Sequence, residues 1–122
     1  MSREIKFRVW DKNKQNYLVD DRGFRLMYLR NGSTRFFNPE VWEFEQYTGL
    51  KDKNGKEIYE GDIMRYDAID YKVLWADYYA GFETKRLNSP WNNAGLTLHF
   101  LASVGRVIGN IHENPELLGG EE

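Results

Sequence analysis

The amino-acid sequence predicts a mainly β protein, a β-rich α+β fold in which a small antiparallel barrel or sandwich makes one domain over residues 1–122, with a short C-terminal helical turn. Three observations carry this. Apolar residues recur with a period of two. The β-branched and aromatic runs are short and regularly bounded by Gly, Asn, Asp or Pro. A chain of 122 residues, 41% hydrophobic and 16% aromatic, suits a single modest core.

In Glu4–Trp10 the apolar Ile5, Phe7 and Val9 alternate with charge, the pattern of a half-buried strand with these three turned inward. Turn residues from Asp11 to Asn16 lead to Tyr17-Leu18-Val19. Phe24–Leu29 is a third strand candidate, although its spacing also suits a helix. Asn31-Gly32 signals a hairpin into Thr34–Phe37, which Pro39 ends because proline offers no ladder donor. Val41–Tyr47, Asp62–Tyr66, Tyr71–Trp75, Phe82–Leu87, Leu96–Leu101 and Arg106–Ile111 read as further strands, with Asn88–Gly95 a loop. Pro115–Leu118 forms a helical turn capped by Asn114 and stopped by Gly119 and Gly120. Asp11-Lys12-Asn13 and Asp52-Lys53-Asn54 echo each other as two similar turns.

Composition excludes whole classes of chemistry. Without cysteine there is no disulfide, thiol nucleophile or thiolate metal site, and a cytoplasmic location is expected. No window reaches the roughly 18 apolar residues of a membrane helix, so no membrane association is expected. Net charge is −2, but unevenly placed: residues 1–38 hold nine basic and four acidic side chains (+5), and the remainder eight and fifteen (−7). A basic first third points either to an anionic partner or to complementary faces within one fold.

The densest motif is TGLKDKNGKEIYEGDI, Thr48–Ile63. Counted from Asp52, its glycine falls at the fourth position rather than the sixth, and Ile63 stands where a calcium loop needs a glutamate. Five residues separate Gly49 from Gly55, and Glu57 follows Gly55-Lys56, so a phosphate-binding loop fails as well. A turn explains the segment better. Asn54-Gly55 suits a type I′ hairpin, which pairs Lys53 with Lys56, Asp52 with Glu57, Lys51 with Ile58 and Leu50 with Tyr59. The like charges this sets opposite each other favour a solvated, looser tip.

Other candidate chemistry is thin. His99 and His112 lie on separate predicted strands without a neighbouring ligand, so no metal is expected. Glu60, Asp62, Asp67 and Asp70 could bind Mg²⁺, but acidic residues beside turns are ordinarily solvated. No serine sits in a nucleophile elbow. Catalytic residues and cofactors are therefore expected to be none. Trp10, Tyr17, Tyr28, Trp75, Tyr78, Tyr79, Phe82 and Trp91 exceed what one small core hides, which suits a subunit interface or stacking on nucleic acid. The pI near 5.7 favours the interface.

REIKFRVWD at the N-terminus, QYTGLKDKNGKEIYEGDI from Gln46 to Ile63, and VIGNIHENPELL from Val107 to Leu118 together resemble the YopX-like family of phage and prophage proteins. The resemblance spans nearly the whole chain, and the region of about 64–106 is its variable part. It implies a cytoplasmic setting in an infected or lysogenic bacterium and favours self-association, with no catalytic residue to carry over. The structural and family-marking residues are Thr48, Gly49, Leu50, Asp52, Asn54, Gly55, Ile58, Tyr59, Gly61, Asp62, Gly109, Asn110, Asn114 and Pro115. The expectation is a non-enzymatic binding or assembly module that forms homo-oligomers. One rival is nucleic-acid binding through Lys6, Arg8, Trp10, Arg25, Arg30 and Arg35; another is a metal-dependent enzyme using Glu60, Asp62 and Asp67.

Overall fold

The computed structural model describes residues 5–17, 40–88 and 94–119. The elements expected at 24–29 and 34–37, the Asn31-Gly32 hairpin, Tyr28, Trp91 and the candidate cations Arg25, Arg30 and Arg35 lie outside those residues. The mainly β expectation holds: two antiparallel sheets, one curled into a half-barrel, carry the chain, joined by one helix and a C-terminal 3₁₀ turn.

The first sheet is built from β1 (Phe7–Asp11), β2 (Asn16–Tyr17), β3 (Trp42–Lys51) and β4 (Glu57–Tyr59), in the order β2-β1-β3-β4. Its central pairing sets Arg8 opposite Glu45 and Trp10 opposite Glu43. The inward face of β1 differs from expectation. Val9 is buried, but Ile5 and Phe7 are 64% and 40% exposed, whereas Trp10 is buried and Arg8 half-buried. The face carrying Arg8 and Trp10 is turned towards the second sheet, where carboxylates and a histidine receive it.

β3 and β4 pair Tyr47 with Tyr59 and Lys51 with Glu57, with an irregularity between. This corrects the expected hairpin register. Gly49 has φ +89°, and Thr48 replaces the lost ladder contact: its hydroxyl donates to the Ile58 carbonyl at 2.8 Å. At the tip only Gly55 has positive φ (+85°), so Asn54-Gly55 is not a type I′ turn, which needs both. Lys53-Asn54-Gly55 instead forms a three-residue loop. The Gly55 amide donates to the Asp52 carbonyl and the Asp52 amide to the Lys56 carbonyl. The two echoed turns are alike in mechanism. Asp52 Oδ1 accepts from the amides of Asn54 and Lys56, and Asp11 Oδ1 from those of Asn13 and Lys14.

The second sheet runs β7-β6-β5-β8, from β5 (Asp62–Tyr66), β6 (Ile69–Ala76), β7 (Gly81–Arg86) and β8 (Arg106–Asn110). The two-residue turn with both φ values positive occurs here, at Asp67 (+55°) and Ala68 (+61°), between β5 and β6. Both faces of this sheet are covered. Met64, Tyr71 and Val73 pack with Ile58 beneath the helix α1 (Leu98–Val104), while Ile63 packs with Leu87 and with Leu118 of the 3₁₀ turn Pro115–Leu118. Adjacent Ile63 and Met64 are therefore both fully buried, as successive strand residues are when each sheet face has a lid.

The helix replaces the strand expected at Leu96–Leu101. Leu98, Leu101 and Ala102 are its buried residues, at spacings of three and one, and the Thr97 hydroxyl accepts from the Phe100 amide as a cap. A period-two reading would bury Phe100, which is 45% exposed. His99 accordingly stands exposed on the helix rather than on a strand.

Candidate functional site

The inward face of β1 meets the second sheet in a cluster of charged and aromatic groups. The Arg8 guanidinium donates through Nε to Glu45 Oε1 at 2.7 Å and lies 2.8 Å, through Nη2, from Asp62 Oδ1. It also sits 4.6 Å from the Tyr17 ring centre and 4.9 Å from that of Tyr59. Glu45 comes from β3 and Asp62 from the first position of β5, so Arg8 ties the two sheets together.

Burial governs the electrostatics. It pushes the Glu45 and Asp62 carboxyls above the ordinary carboxylate range, against the opposing pull of Arg8. Burial alone would lower the Arg8 pKa; the charges of Asp62 and Glu45 outweigh it and raise it. The Tyr17 hydroxyl donates to Glu45 Oε1 at 2.8 Å, and burial together with that carboxylate drives its pKa far up. Tyr17 is thus a hydrogen-bond donor and no source of phenolate. Asp62 Oδ2 accepts from the Tyr59 amide at 2.7 Å, closing the Tyr59–Asp62 corner.

Gly61 makes this corner feasible. Its φ is +91°, and a Cβ there would lie 2.4 Å from Glu45 Oε2. Its amide donates to the Val73 carbonyl and its carbonyl accepts from the Ile111 amide, so the corner is pinned to β6 and to the segment after β8.

That segment presents His112. Asn110 is buried; its Oδ1 accepts from the amides of His112 and Glu113, and its Nδ2 donates to Glu113 Oε1. Asn114 Oδ1 accepts from the Asn110 amide over Gly109, where a Cβ would lie 2.4 Å from that oxygen. Asn114 precedes the 3₁₀ turn as expected, and Pro115 opens it, but the Asn114 side chain braces the His112 turn and makes no helix cap. Held this way, the His112 ring stacks on Trp10 at 4.6 Å and 8° between planes. Its Nε2 lies 2.7 Å from Glu43 Oε2 and 3.2 Å from Glu45 Oε2.

The sequence-derived candidates divide clearly. Arg8, Trp10, Tyr59, Gly61, Asp62, Gly109, Asn110 and Asn114 converge on this cluster. Thr48, Gly49, Leu50, Asn54, Gly55 and Ile58 build the β3–β4 hairpin and the core beneath it. Asp52 joins the hairpin to β8, since its Oδ2 accepts from the Val107 amide at 2.8 Å. Lys6 is paired with Glu57 and Arg8 with Glu45 and Asp62, and Trp10 is buried, so the basic side chains of β1 and the residue before it complement acidic strands of their own fold. Glu60, Asp67 and Asp70 go separate ways: Glu60 Oε1 accepts from the Gln46 amide, Asp67 is exposed at a turn, and Asp70 pairs with Arg65. Among the described residues the three-residue group with metal-compatible spacing is instead Glu43, Glu45 and His112, whose ligand atoms all lie within 4.8 Å of one another. Sequence reading missed it because 69 residues separate Glu43 from His112. The signal available was Glu43-x-Glu45, two carboxylates on one face of a strand.

These features define a class: a small two-sheet β protein whose sheets are joined through a buried arginine–carboxylate cluster, with a histidine presented to its edge. A family model described as YopX protein matches residues 6–119, and the chain belongs to that family. It is also similar to a solved structure described as the crystal structure of protein EF1440 from Enterococcus faecalis. The two are 30% identical, the match covers 96% of this chain and 99% of that one, and the TM-score is 0.63. A search of curated proteins finds no match. No helix among the described residues is long and apolar enough to cross a membrane.

Proposed function

We propose that this YopX-family protein is a non-enzymatic assembly module of a phage or prophage, acting in the bacterial cytoplasm and binding a second copy of itself. The observation that supports this is the aromatic end of the β6–β7 hairpin. Trp75, Tyr78 and Tyr79 are 39%, 83% and 49% exposed. They are already arranged edge to face, Trp75 on Phe82 at 5.0 Å and Tyr78 on Tyr79 at 4.7 Å. Rigid aromatic side chains with few rotatable bonds are the groups that interfaces concentrate, because ordering them on contact costs little entropy. The pairing of Lys6 and Arg8 with their own acidic partners supports association through apolar rather than charged surface.

Light scattering across a concentration series tests the proposal. A mass rising to that of an oligomer is expected, falling back to a monomer for the Tyr78→Ser/Tyr79→Ser double variant. A monomer mass for the unaltered chain at high concentration overturns it.

A further inference from the structure

We infer that Glu43, Glu45 and His112 form a binding site for a divalent transition-metal ion of the Zn²⁺ type, a property separate from self-association. Two carboxylate oxygens and one imidazole nitrogen converge from two sheets, with Nε2 of His112 at 2.7 Å from Glu43 Oε2 and 3.2 Å from Glu45 Oε2. Ligands at about 2.1 Å from a tetrahedral ion stand roughly 3 to 3.5 Å apart; both Nε2–carboxylate separations are near that range, and all three ligand atoms lie within 4.8 Å of one another. A mixed nitrogen and oxygen set without thiolate selects borderline ions such as Zn²⁺ over the hard ions Ca²⁺ and Mg²⁺, which prefer oxygen alone.

An independent observation points to the same ligand. The Glu45 side chain is 3% exposed, and its two oxygens are treated very differently. Oε1 accepts from Arg8 and Tyr17, while Oε2 is buried without a hydrogen-bond partner and faces His112 and Glu43. The imidazole cannot satisfy it. Nε2 carries at most one hydrogen, and the shorter contact to Glu43 takes it. A buried carboxylate oxygen left unpaired is costly, and a metal ion is a partner that serves both carboxylates at once.

Charge supports the assignment. Glu43, Glu45 and Asp62 bring three carboxylates together, and Arg8 is bonded to Glu45 and Asp62 but not to Glu43, so a dication beside His112 offsets negative charge on the side of the cluster that Arg8 does not reach. The surroundings resemble a supporting shell: Trp10 fixes the plane of the His112 ring, and Arg8 with Tyr17 orients Glu45. Glu43, with 37% of its side chain exposed, and His112, with 16%, give the ion a route in from solvent.

Calorimetric titration of the chelator-treated protein with ZnCl₂ is the test, with MgCl₂ and CaCl₂ as comparisons. One Zn²⁺ per chain is expected, together with a change in tryptophan fluorescence from Trp10, and weaker binding of Mg²⁺ and Ca²⁺. Glu43→Gln should weaken Zn²⁺ binding more than about tenfold, and His112→Ala should remove it. Glu43 is half-exposed, so its variant keeps the fold, which far-UV circular dichroism verifies. Absence of Zn²⁺ binding by the unaltered chain overturns the inference. Binding that survives both substitutions overturns it equally, because the ion is then held elsewhere.

Discussion

Asp52 shows how a residue that looks like a ligand becomes a structural acceptor. Its carboxylate takes hydrogen bonds from the amides of Asn54, Lys56 and Val107. Burial would raise its pKa, but the bonds from Val107, Lys56 and Asn54 outweigh that and hold it below the ordinary value of 3.8. A depressed carboxylate contributes stability that is complete above the unfolded-state pKa and lost as pH falls through the lower folded value. Asp52→Asn keeps one acceptor and turns an N–H towards a donor, so it should cost about 1–3 kcal/mol at neutral pH. Chemical denaturation between pH 6 and pH 2.5 checks this: the gap between variant and unaltered protein should narrow below about pH 4. A constant gap would show that the charge of Asp52 contributes nothing. From the sequence, the turn role of Asp52 was legible, since Asx turns are local. Its bond to Val107 was not, because it joins residues 55 positions apart.

At the scale of elements, strands were readable wherever local chemistry and tertiary context agree. The β5–β8 runs appear within a residue or two of their expected bounds. Two failures share one cause, a local signal that fits two answers. LTLHFL satisfies both a period of two and a helical spacing, and the buried surface over Met64 and Val73 selects the helix. Asn54-Gly55 promised a type I′ turn, yet Asp52 draws the backbone into a longer loop, and the type I′ geometry appears at Asp67-Ala68. There Ala68 carries φ +61°, a conformation disfavoured for a residue with a Cβ by about 1 kcal/mol. Ala68 is exposed and lies at a strand junction, so glycine there should relieve strain without removing a contact. Ala68→Gly is expected to raise stability by about 0.5–1 kcal/mol, read as a higher urea midpoint with unchanged slope. A lower midpoint would mean that the added freedom of the unfolded chain outweighs the relieved strain.

Across the whole molecule, the three sequence blocks that mark the family meet at one place. β1 supplies Arg8 and Trp10, the central block supplies Tyr59, Gly61 and Asp62, and the C-terminal block supplies Asn110, His112 and Asn114. The residues could be singled out from the sequence, but their convergence could not, since it depends on sheet order rather than on neighbours in the chain. Arg8 is the tie. Its partners Glu45 and Asp62 are 3% and 2% exposed at their side chains, and Arg8 itself 20%. Removing it strands two buried carboxylates from different sheets, so Arg8→Ala should lose about 3–5 kcal/mol in urea unfolding. That loss measures uncompensated charge more than the worth of the ion pairs. Neutralising the stranded groups should therefore restore much of it, and the triple variant Arg8→Met/Glu45→Gln/Asp62→Asn is expected to be clearly more stable than Arg8→Ala alone. If both variants lose the same amount, packing of the guanidinium between Tyr17 and Tyr59, rather than charge, joins the sheets. If Arg8→Ala loses less than about 1 kcal/mol, a surface-pair magnitude, the cluster does not hold them together at all.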